Sequence, residues 1–569
     1  MNEKIATILR ELAVLYDLKG VPYKPRAFER AADALEAAGQ DAADVYRSDG
    51  IDGLEQIPGI GEGIAERIEE FLTTKHIAEY DRMKKVLPVD IAGITAVEGI
   101  GPKTLKLLFR KLGIRTLAQL EHAARRGDLA KIRGIGEREQ ANIIRALEYK
   151  KESGKRKLPG LLWPYLKTLT DKLEGIHGVK ELEIVGSYRR MQETIGDLDL
   201  LAIADDPERV LHAFVELPQV RSVYKHGTYN ALVRLKNGMD ADLWVLPPES
   251  YGAALIAWTG DKAHNIHLRT IAKKKGLMLD DFGLFKGKTM VAGKTEEDVY
   301  KKLGMDWIPP EMRTDAGEIE AAMEHALPDL VGYADLRGDL QVQTDWTDGE
   351  HSILRMAQAA EAVGLEYIAI TDHTQALAMT GGLDEKTIRK QWAEIDRVQT
   401  KVPRMKILKG TECDIHKDGS LDLDDRTLAQ LDVVGVSVHS HFDLSERDQT
   451  QRLITAMENP HADIVCHPTG RKINTRAPIR LDMATVIAAA KRTKTVLEVD
   501  ADPNRLDLKD AHIRLAVDAG VRIAVDSDAH STDHYSFLRW GIGQARRGWA
   551  AKKDVVNTRP WREMLKLLK

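Results

Sequence analysis

Two aspartates, Asp197 and Asp199, stand two positions apart beside an apolar run, nine residues after Gly186-Ser187, and a third, Asp242, follows on a later run. On a β-strand, residues i and i+2 face the same way, so the pair projects together. Adjacent carboxylates repel each other unless hard cations sit between them, and a pair of Mg²⁺ or Mn²⁺ ions is their natural partner. Two such ions can activate an attacking oxygen and stabilise a departing phosphate. Gly186-Ser187 would let a triphosphate approach the backbone, with Arg189 and Arg190 neutralising it. A solvated strand edge accounts for one aspartate, but not for a pair within a Leu/Ile-rich stretch.

A second group lies late in the chain. Asp348, Asp372-His373, Glu412, Val438-His439, Cys466-His467 and Asp528-Ala529-His530 fall mostly at or just after β-rich runs. Imidazoles and carboxylates converging at one end of a barrel suit Zn²⁺ or Mn²⁺. Cys413 and Cys466 flank these residues, and strand alternation assigns both to packing, facing away from the metal side.

A third pattern is a repeat. Ile57-Pro58-Gly59-Ile60-Gly61, Val97-Glu98-Gly99-Ile100-Gly101 and Ile132-Arg133-Gly134-Ile135-Gly136 recur at spacings of 40 and 35 residues, each before a helical run. A Gly-h-Gly turn opening a helix presents backbone N–H groups that can hold a phosphate. The turns resemble the helix-hairpin-helix element, which grips DNA backbone, and the resemblance makes Gly59, Gly61, Gly99, Gly101, Gly134, Gly136 and the neighbouring Lys103 candidate DNA-backbone contacts. Binding of this kind ignores sequence and weakens with salt.

These groups need elements to hold them. Residues 1–150 carry helical periodicity throughout, as in Ile5, Ile8, Leu9, Leu12 and Leu15. After the hydrophilic joint at 150–157, strand-like runs appear at 182–185, 198–203, 231–235 and 241–245. Around 305–333 comes an acidic connector. Beyond Asp335, β-rich runs at 367–371, 405–408, 433–438, 463–466, 495–499 and 522–525 alternate with helical ones, the signature of a parallel sheet or barrel with its site at the C-terminal strand ends.

The chain has 569 residues and a net charge of −5, which argues against a protein coated in nucleic acid. Charge is uneven, however: residues 101–150 hold twelve Lys/Arg against five Asp/Glu, a local basic face. Two cysteines, no membrane-length apolar stretch and a start without a secretory core point to a cytoplasmic, nucleoid-associated protein with no membrane partner. Without dimerisation heptads, a monomer is expected.

The Gly-Ser-x9-Asp-x-Asp pattern resembles the nucleotidyltransferase signature, and Thr259-Gly260-Asp261-Lys262-Ala263-His264-Asn265 is similar to the nucleotide-binding segment of DNA polymerase family X. The Gly-h-Gly elements resemble helix-hairpin-helix motifs, and residues 333–569 resemble the PHP (polymerase and histidinol phosphatase) domain of bacterial members. The resemblance implies a multidomain fold: an all-α helix-hairpin-helix N-terminal region, an α/β nucleotidyltransferase palm with a small α+β appendage, and a C-terminal PHP (β/α)7-type barrel. The expected divisions are 1–85 and 86–155 for binding DNA ends and duplex, 156–248 for the palm, 249–315 for nucleotide selection, 316–334 as linker and 335–569 for the PHP domain.

By the same resemblance, Asp197, Asp199 and Asp242 bind the catalytic Mg²⁺ or Mn²⁺. Gly186, Ser187, Arg190 and Gly196 meet the β- and γ-phosphates, Thr259, Gly260 and Asn265 line sugar and base, and Arg269 faces the template. In the barrel it implies three metals. Glu412, His439 and His467 hold one, and Asp348, His373 and His530 another. The third needs Glu412, Asp528 and a His-x-His, where this chain has Gln341-Val342-Gln343. A glutamine amide is a poor substitute for imidazole, so the Zn²⁺ or Mn²⁺ set is expected to be incomplete and the nuclease impaired. Two further departures stand out. Ala257-Trp258 precedes Thr-Gly where an aromatic pair is usual. Arg67, always protonated, replaces the Schiff-base lysine of members that process abasic ends, so strong lyase activity is not expected.

The reading that follows is a template-directed DNA polymerase filling short gaps in repair, with gapped or nicked DNA and dNTPs as partners. The alternatives are a PHP phosphoesterase delivered to DNA by its N-terminal part, a non-catalytic DNA-end binding protein, and an untemplated nucleotidyltransferase. The intact aspartate trio favours synthesis.

Overall fold

A computed structural model describes residues 1–36, 41–57, 59–95, 97, 100–132, 135–137, 140, 143–144, 147, 156–377 and 380–569. The chain forms two compact units: Met1–Gly154 with Val220–His226 and Leu232–Asp240, and the remainder.

The N-terminal region is helical, with α1 (Asn2–Lys19), α2 (Lys24–Glu36), α3 (Ala42–Glu55), α4 (Glu62–Thr74), α5 (Ala78–Val86), α6 (Ile91–Thr95), α7 (Pro102–Leu112) and α8 (Leu117–Arg125). The periodic residues Ile5, Leu9, Leu12 and Leu15 are fully buried in its core, and Gly20 caps α1 in the left-handed conformation (φ 76°). The described residues of the three Gly-h-Gly turns share one backbone hydrogen bond. Ile60, Ile100 and Ile135 each donate a backbone bond to the residue three positions back, at 3.0, 3.0 and 2.9 Å, and each is buried. Gly61, Gly101 and Gly136 then accept the first bonds of the following helical segments.

The palm opens with the helix Pro159–Glu174 and the strand β1 (Val179–Ile184). It continues through the short helix Gly186–Arg189, β2 (Leu198–Ala204), β3 (Val220–His226), β4 (Asn230–Leu235) and β5 (Asp240–Leu246). The sheet order is β1-β2-β5-β4-β3, β1 antiparallel and β5 parallel to β2. Leu198, Leu200, Leu201, Ala202 and Ile203 of β2 are all buried, as a central strand covered on both faces requires. Asp199 is its one ionisable residue, and Asp197 lies just before the strand rather than on it. The strand β3 was not among the expected runs; its residues are mostly exposed, so no apolar pattern marked it.

The appendage comprises the helices Tyr251–Thr259 and Lys262–Lys274, the small sheet β6 (Met278–Leu279), β7 (Leu284–Lys286) and β8 (Thr289–Ala292), and the helix Glu296–Leu303. Its core includes Tyr300, Leu303, Ile319 and Ala322, so the acidic segment after 316 is packed against it.

The barrel strands are β9 (Gly338–Val342), β10 (Tyr367–Ile370), β11 (Lys406–Asp414), β12 (Val433–Ser437), β13 (Ile464–Val465), β14 (Val496–Asp500) and β15 (Ile523–Asp526). They pair in sequence order, β9 to β15, with all pairings parallel. Near-closure comes from Val342 bridging to Ala529 and from Leu340 N–H donating to Asp526 at 2.7 Å. The first strand escaped the periodicity reading because Asp339, Gln341 and Gln343 interrupt its apolar run, though all three are buried. Tyr367, Ala369, Leu408, Val433, Ile464 and Ala524 fill the interior, while a larger cluster packs beneath the outer helices. Among the described residues, no helix is long and apolar enough to cross a membrane.

Candidate functional site

Asp199 and Asp242 are direct partners in the parallel register of β2 and β5. Burial, then the charges of Asp197 and Asp242, push the Asp199 carboxyl up to about 7, against the opposing pull of Arg190. Three acids therefore share one corner of the palm with too little positive charge nearby. Hard oxygen donors in this arrangement fit divalent cations such as Mg²⁺ or Mn²⁺. Asp242 is fixed in turn: Trp244 Nε1 donates to its Oδ2 at 3.0 Å and Asn230 Nδ2 to its Oδ1 at 3.2 Å. Trp258 stacks on Trp244 with ring centroids 4.1 Å apart. Sequence reasoning missed this support, although Trp244 lies two positions after Asp242 on the same strand face.

Beside the acids lies a cleft of about 530 Å³ lined by Gly186, Ser187, Arg190, Asp197, Asp199, Thr259, Gly260, Asn265 and Arg269, together with Trp258 and Lys262. Nearly all the expected nucleotide contacts are thus brought together; Gly196 and Asp242 stand outside this lining set. The role of Gly186 is more specific than expected. Its φ is 62°, and a Cβ there would lie 1.8 Å from Asp199 Oδ2, so glycine makes room for the carboxylate itself. Asn265 Nδ2 donates to the Ala257 carbonyl at 2.8 Å, which orients the amide.

Arg189 does not face the cleft as expected. It donates to Glu296 at 2.7 and 3.0 Å and to Thr259 Oγ1 at 2.7 Å. Glu296 also receives Arg313 Nη1 at 2.7 Å and Trp307 Nε1 at 3.0 Å. Burial raises its pKa, but the Arg313 charge and the bonds from Arg189 and Arg313 hold it far below the usual carboxylate range. His264, inside the nucleotide-binding motif, is buried between Glu318 (2.7 Å) and Tyr300 (2.9 Å) and positions the helix rather than facing the cleft.

At the C-terminal ends of the barrel strands, two groups have the proximity a cation requires: Asp348, His373 and His530, and His373, Glu412 and His439. His467 Nε2 lies 2.8 Å from Glu412 Oε1, and Asp528 sits near Arg505 and His530. The mixed imidazole and carboxylate donors fit a borderline or hard transition ion. Several polar atoms here have no hydrogen-bond partner, among them His373 Nδ1, His467 Nδ1 and Asp528 Oδ1. Glu412 is driven upward by burial but held well below its ordinary range by the charges of His373 and His439. Burial opposes charge on His439, yet Glu412 and Asp414 raise it to about 9.

The third position differs. Gln343 Nε2 donates to Glu412 Oε2 at 2.9 Å, and its Oε1 has no hydrogen-bond partner. Gln341 Oε1 accepts from Cys466 Sγ at 3.4 Å, and its own Nε2 has no partner. Neutral amides in these two places are poorer ligands for a transition ion than imidazoles. Cys466 therefore points into the barrel toward Gln341, not away, because it shares the inward face of β13's end. Cys413 packs outward in the larger core, as expected.

In the helical region, Gly61, Gly101 and Gly136 are exposed, with nothing within 4 Å of the place a Cβ would occupy. Gly59 has φ 102°, and Lys103 is exposed beside Gly101. Gly99 and Gly134 lie outside the described residues. Arg67 is ion-paired with Glu79, which also takes Tyr16 OH.

Residues 1–77 match the helix-hairpin-helix domain model, 92–149 the SAM-like helix-hairpin-helix tandem, and 254–314 the DNA polymerase beta thumb. The DNA polymerase/3'-5' exonuclease PolX of Bacillus subtilis is 32% identical over 578 residues, covering 100% of both chains. DNA polymerase lambda of Arabidopsis thaliana is 26% identical over 55% of this chain and 62% of its own. A probable phosphatase of Caldanaerobacter subterraneus subsp. tengcongensis is 34% identical over 35% of this chain and 80% of its own. A match running the whole length of both chains leaves the assignment plain: this chain belongs to DNA polymerase family X, in the bacterial form that ends in a PHP domain.

Proposed function

We propose that this chain is a template-directed DNA polymerase that fills short gaps during repair. The observation that carries the reading is the pairing of Asp199 with Asp242 on adjacent strands, beside a cleft lined by Ser187, Arg190, Gly260 and Asn265. Asp197, Asp199 and Asp242 would hold the Mg²⁺ or Mn²⁺ ions, whose chemistry when bound is to neutralise the triphosphate and favour ionisation of the attacking hydroxyl. Ser187, Arg190 and Gly196 hold the β- and γ-phosphates. Thr259, Gly260 and Asn265 hold sugar and base, and Arg269 lies toward the template. Asp242, fixed by Trp244 and Asn230, stands nearest the primer terminus. The primer 3'-hydroxyl attacks the α-phosphorus, a new phosphodiester forms and pyrophosphate leaves. The side chains form no covalent bond to substrate, so their contribution is positioning and charge compensation.

Residues 1–85 and 86–155 grip DNA through the Gly-h-Gly turns, 156–248 supply the palm, 249–315 select the nucleotide, and 316–334 lead to the barrel at 335–569. The protein acts as a monomer in the cytoplasm, on gapped or nicked DNA with dNTPs. With arginine at 67, it lacks the amine an abasic-end lyase uses there.

The two cation-suited groups in the barrel support a second activity, phosphodiester hydrolysis of the 3'–5' exonuclease or abasic-endonuclease type, with Zn²⁺ or Mn²⁺. Asp348, His373 and His530 would hold one ion, and Glu412, His439 and His467 another. The hydrogen bond from Gln343 to Glu412 supports impairment of that activity. Primer extension on a gapped duplex, run with and without the template strand, tests the reading. Template-dependent extension is expected. Degradation alone would favour the phosphoesterase, template-free addition an untemplated transferase, and neither a DNA-end binding protein.

A further inference from the structure

The loop between Arg190 and Asp197 joins the phosphate-binding side of the proposed polymerase site to its first aspartate, and the barrel grips it at several points. Arg547 Nη1 donates to the Arg190 carbonyl at 3.1 Å. Met191, in the left-handed region at φ 51°, packs on Gly543, where a Cβ would approach it to 2.6 Å, so only glycine fits beneath it. Arg156 donates to the hydroxyl and carbonyl of Thr194 at 2.7 and 2.6 Å, and Asn474 of the barrel holds the Arg156 carbonyl at 3.0 Å.

Glu193 is the centre of this grip. Arg471 meets its carboxylate as a fork, Nη2 at 2.6 Å from Oε1 and Nη1 at 3.2 Å from Oε2. Gln544 Nε2 donates to Oε1 at 2.8 Å. Arg471 is itself fixed, its Nε donating to the Arg505 carbonyl at 2.8 Å and Nη2 to the Leu506 carbonyl. A planar guanidinium held by two backbone carbonyls offers one orientation to its carboxylate, which makes the fork a geometric device as well as a charge pair. Without it, Glu193 would be an unpaired charge on the loop that ends at Asp197.

We propose that Glu193 is a positioning residue for nucleotide binding: clamped by Arg471 and Gln544, it sets the loop that carries Arg190 and Asp197, so the barrel is part of the polymerase site's frame. This inference rests on the polymerase reading above. Domain cohesion alone would also bury such a pair, and that role predicts lower thermal stability without a change in nucleotide affinity.

The test is single-nucleotide incorporation into a gapped duplex by the full-length chain, with Glu193→Ala, Glu193→Gln, Arg471→Ala and the double alanine variant. Thermal midpoints are measured alongside. Glu193→Ala is expected to raise KM for dNTP about tenfold while kcat changes by less than about threefold, a loss of binding rather than of chemistry. Glu193→Gln keeps one oxygen for Arg471 Nη2 and Gln544 but turns an amide N–H toward Arg471 Nη1, so its KM should fall between wild type and Glu193→Ala. The double variant should be no worse than Glu193→Ala, because both changes break one interaction. A wild-type KM in Glu193→Ala and Arg471→Ala, whatever their midpoints, would overturn the proposal, as would losses that multiply in the double variant. Should Glu193→Ala fail to fold, Arg471→Lys keeps the charge but loses the fork, and an unchanged KM there would be equally decisive. If the wild-type chain incorporates no nucleotide, the polymerase reading falls and takes this inference with it; wild-type incorporation with indifferent Glu193 and Arg471 variants overturns the clamp alone.

Discussion

At the scale of single residues, the palm shows how an acid becomes useful by being uncomfortable. Asp199 sits half-buried beside two other carboxylates, and the space for it exists because Gly186 has no side chain. That three aspartates carry the chemistry was legible in the sequence, since acids set within apolar runs are costly to bury unless cations sit between them. The spacing, however, paired Asp197 with Asp199, whereas the register sets Asp199 beside Asp242. What holds Asp242 was not legible, because the Trp244 indole reads equally well as core packing. Trp244→Phe removes the N–H donated to Asp242 while keeping the stack on Trp258. A hydrogen bond to a charged group contributes about 1.5–3 kcal/mol, so kcat for incorporation is expected to fall at least about tenfold. Steady-state kinetics on a gapped duplex reads this directly, and an unchanged kcat would show that Asn230 alone suffices.

At the scale of elements, two features carry predictions. The first is the buried cluster of Glu296 with Arg189 and Arg313, which ties three parts of the palm and its appendage together. Glu296 has a depressed folded pKa, so its contribution to stability is complete above the unfolded value of about 4.3 and is lost as pH falls through the folded value. Glu296→Gln should cost roughly 3 kcal/mol at pH 7, because it leaves buried guanidinium charge uncompensated. The gap to wild type should stay level from neutrality down to about pH 5 and narrow below about pH 4. Urea unfolding followed by tryptophan emission across that range measures it; a constant gap would mean the carboxylate charge is immaterial. No pattern in the sequence pointed to Glu296, which meets its partners across 107 and 17 residues.

The second feature is the repeated turn. Three copies were legible as a repeat, and the described parts share a hydrogen-bond geometry with Gly61, Gly101 and Gly136 exposed. If Lys103 meets a DNA phosphate, Lys103→Ala should weaken duplex binding equally across sequences and reduce the slope of log K against log salt by about one. Titrations at several salt concentrations give the slope, and an unaltered one would remove Lys103 from the interface.

At the scale of the whole molecule, palm and barrel hold two acidic centres of different make. The palm trio is all oxygen, whereas the barrel groups mix imidazole with carboxylate. The alternation of strands and helices made the barrel legible, and acids and histidines singled out near its strand ends form the two cation-suited groups. The first strand stayed hidden because its polar residues face inward, where an apolar pattern is expected. Those residues, Gln341 and Gln343, are also where the proposed reading puts the missing imidazoles of a third ion. Gln341→His/Gln343→His is therefore expected to add one bound metal per chain by elemental analysis and to raise primer degradation in Mn²⁺. Neither change appearing would mean the glutamines are not what limits the barrel.

The palm aspartates bear the heaviest part of the account. Replacing both Asp197 and Asp199 by alanine and timing single-nucleotide incorporation at saturating dNTP on a gapped duplex tests them directly, with DNA affinity measured in parallel. The account predicts a fall in rate of at least about a thousandfold with gapped-duplex binding retained, since positioning and charge compensation supply most of the acceleration. Incorporation at the unmodified rate would contradict it.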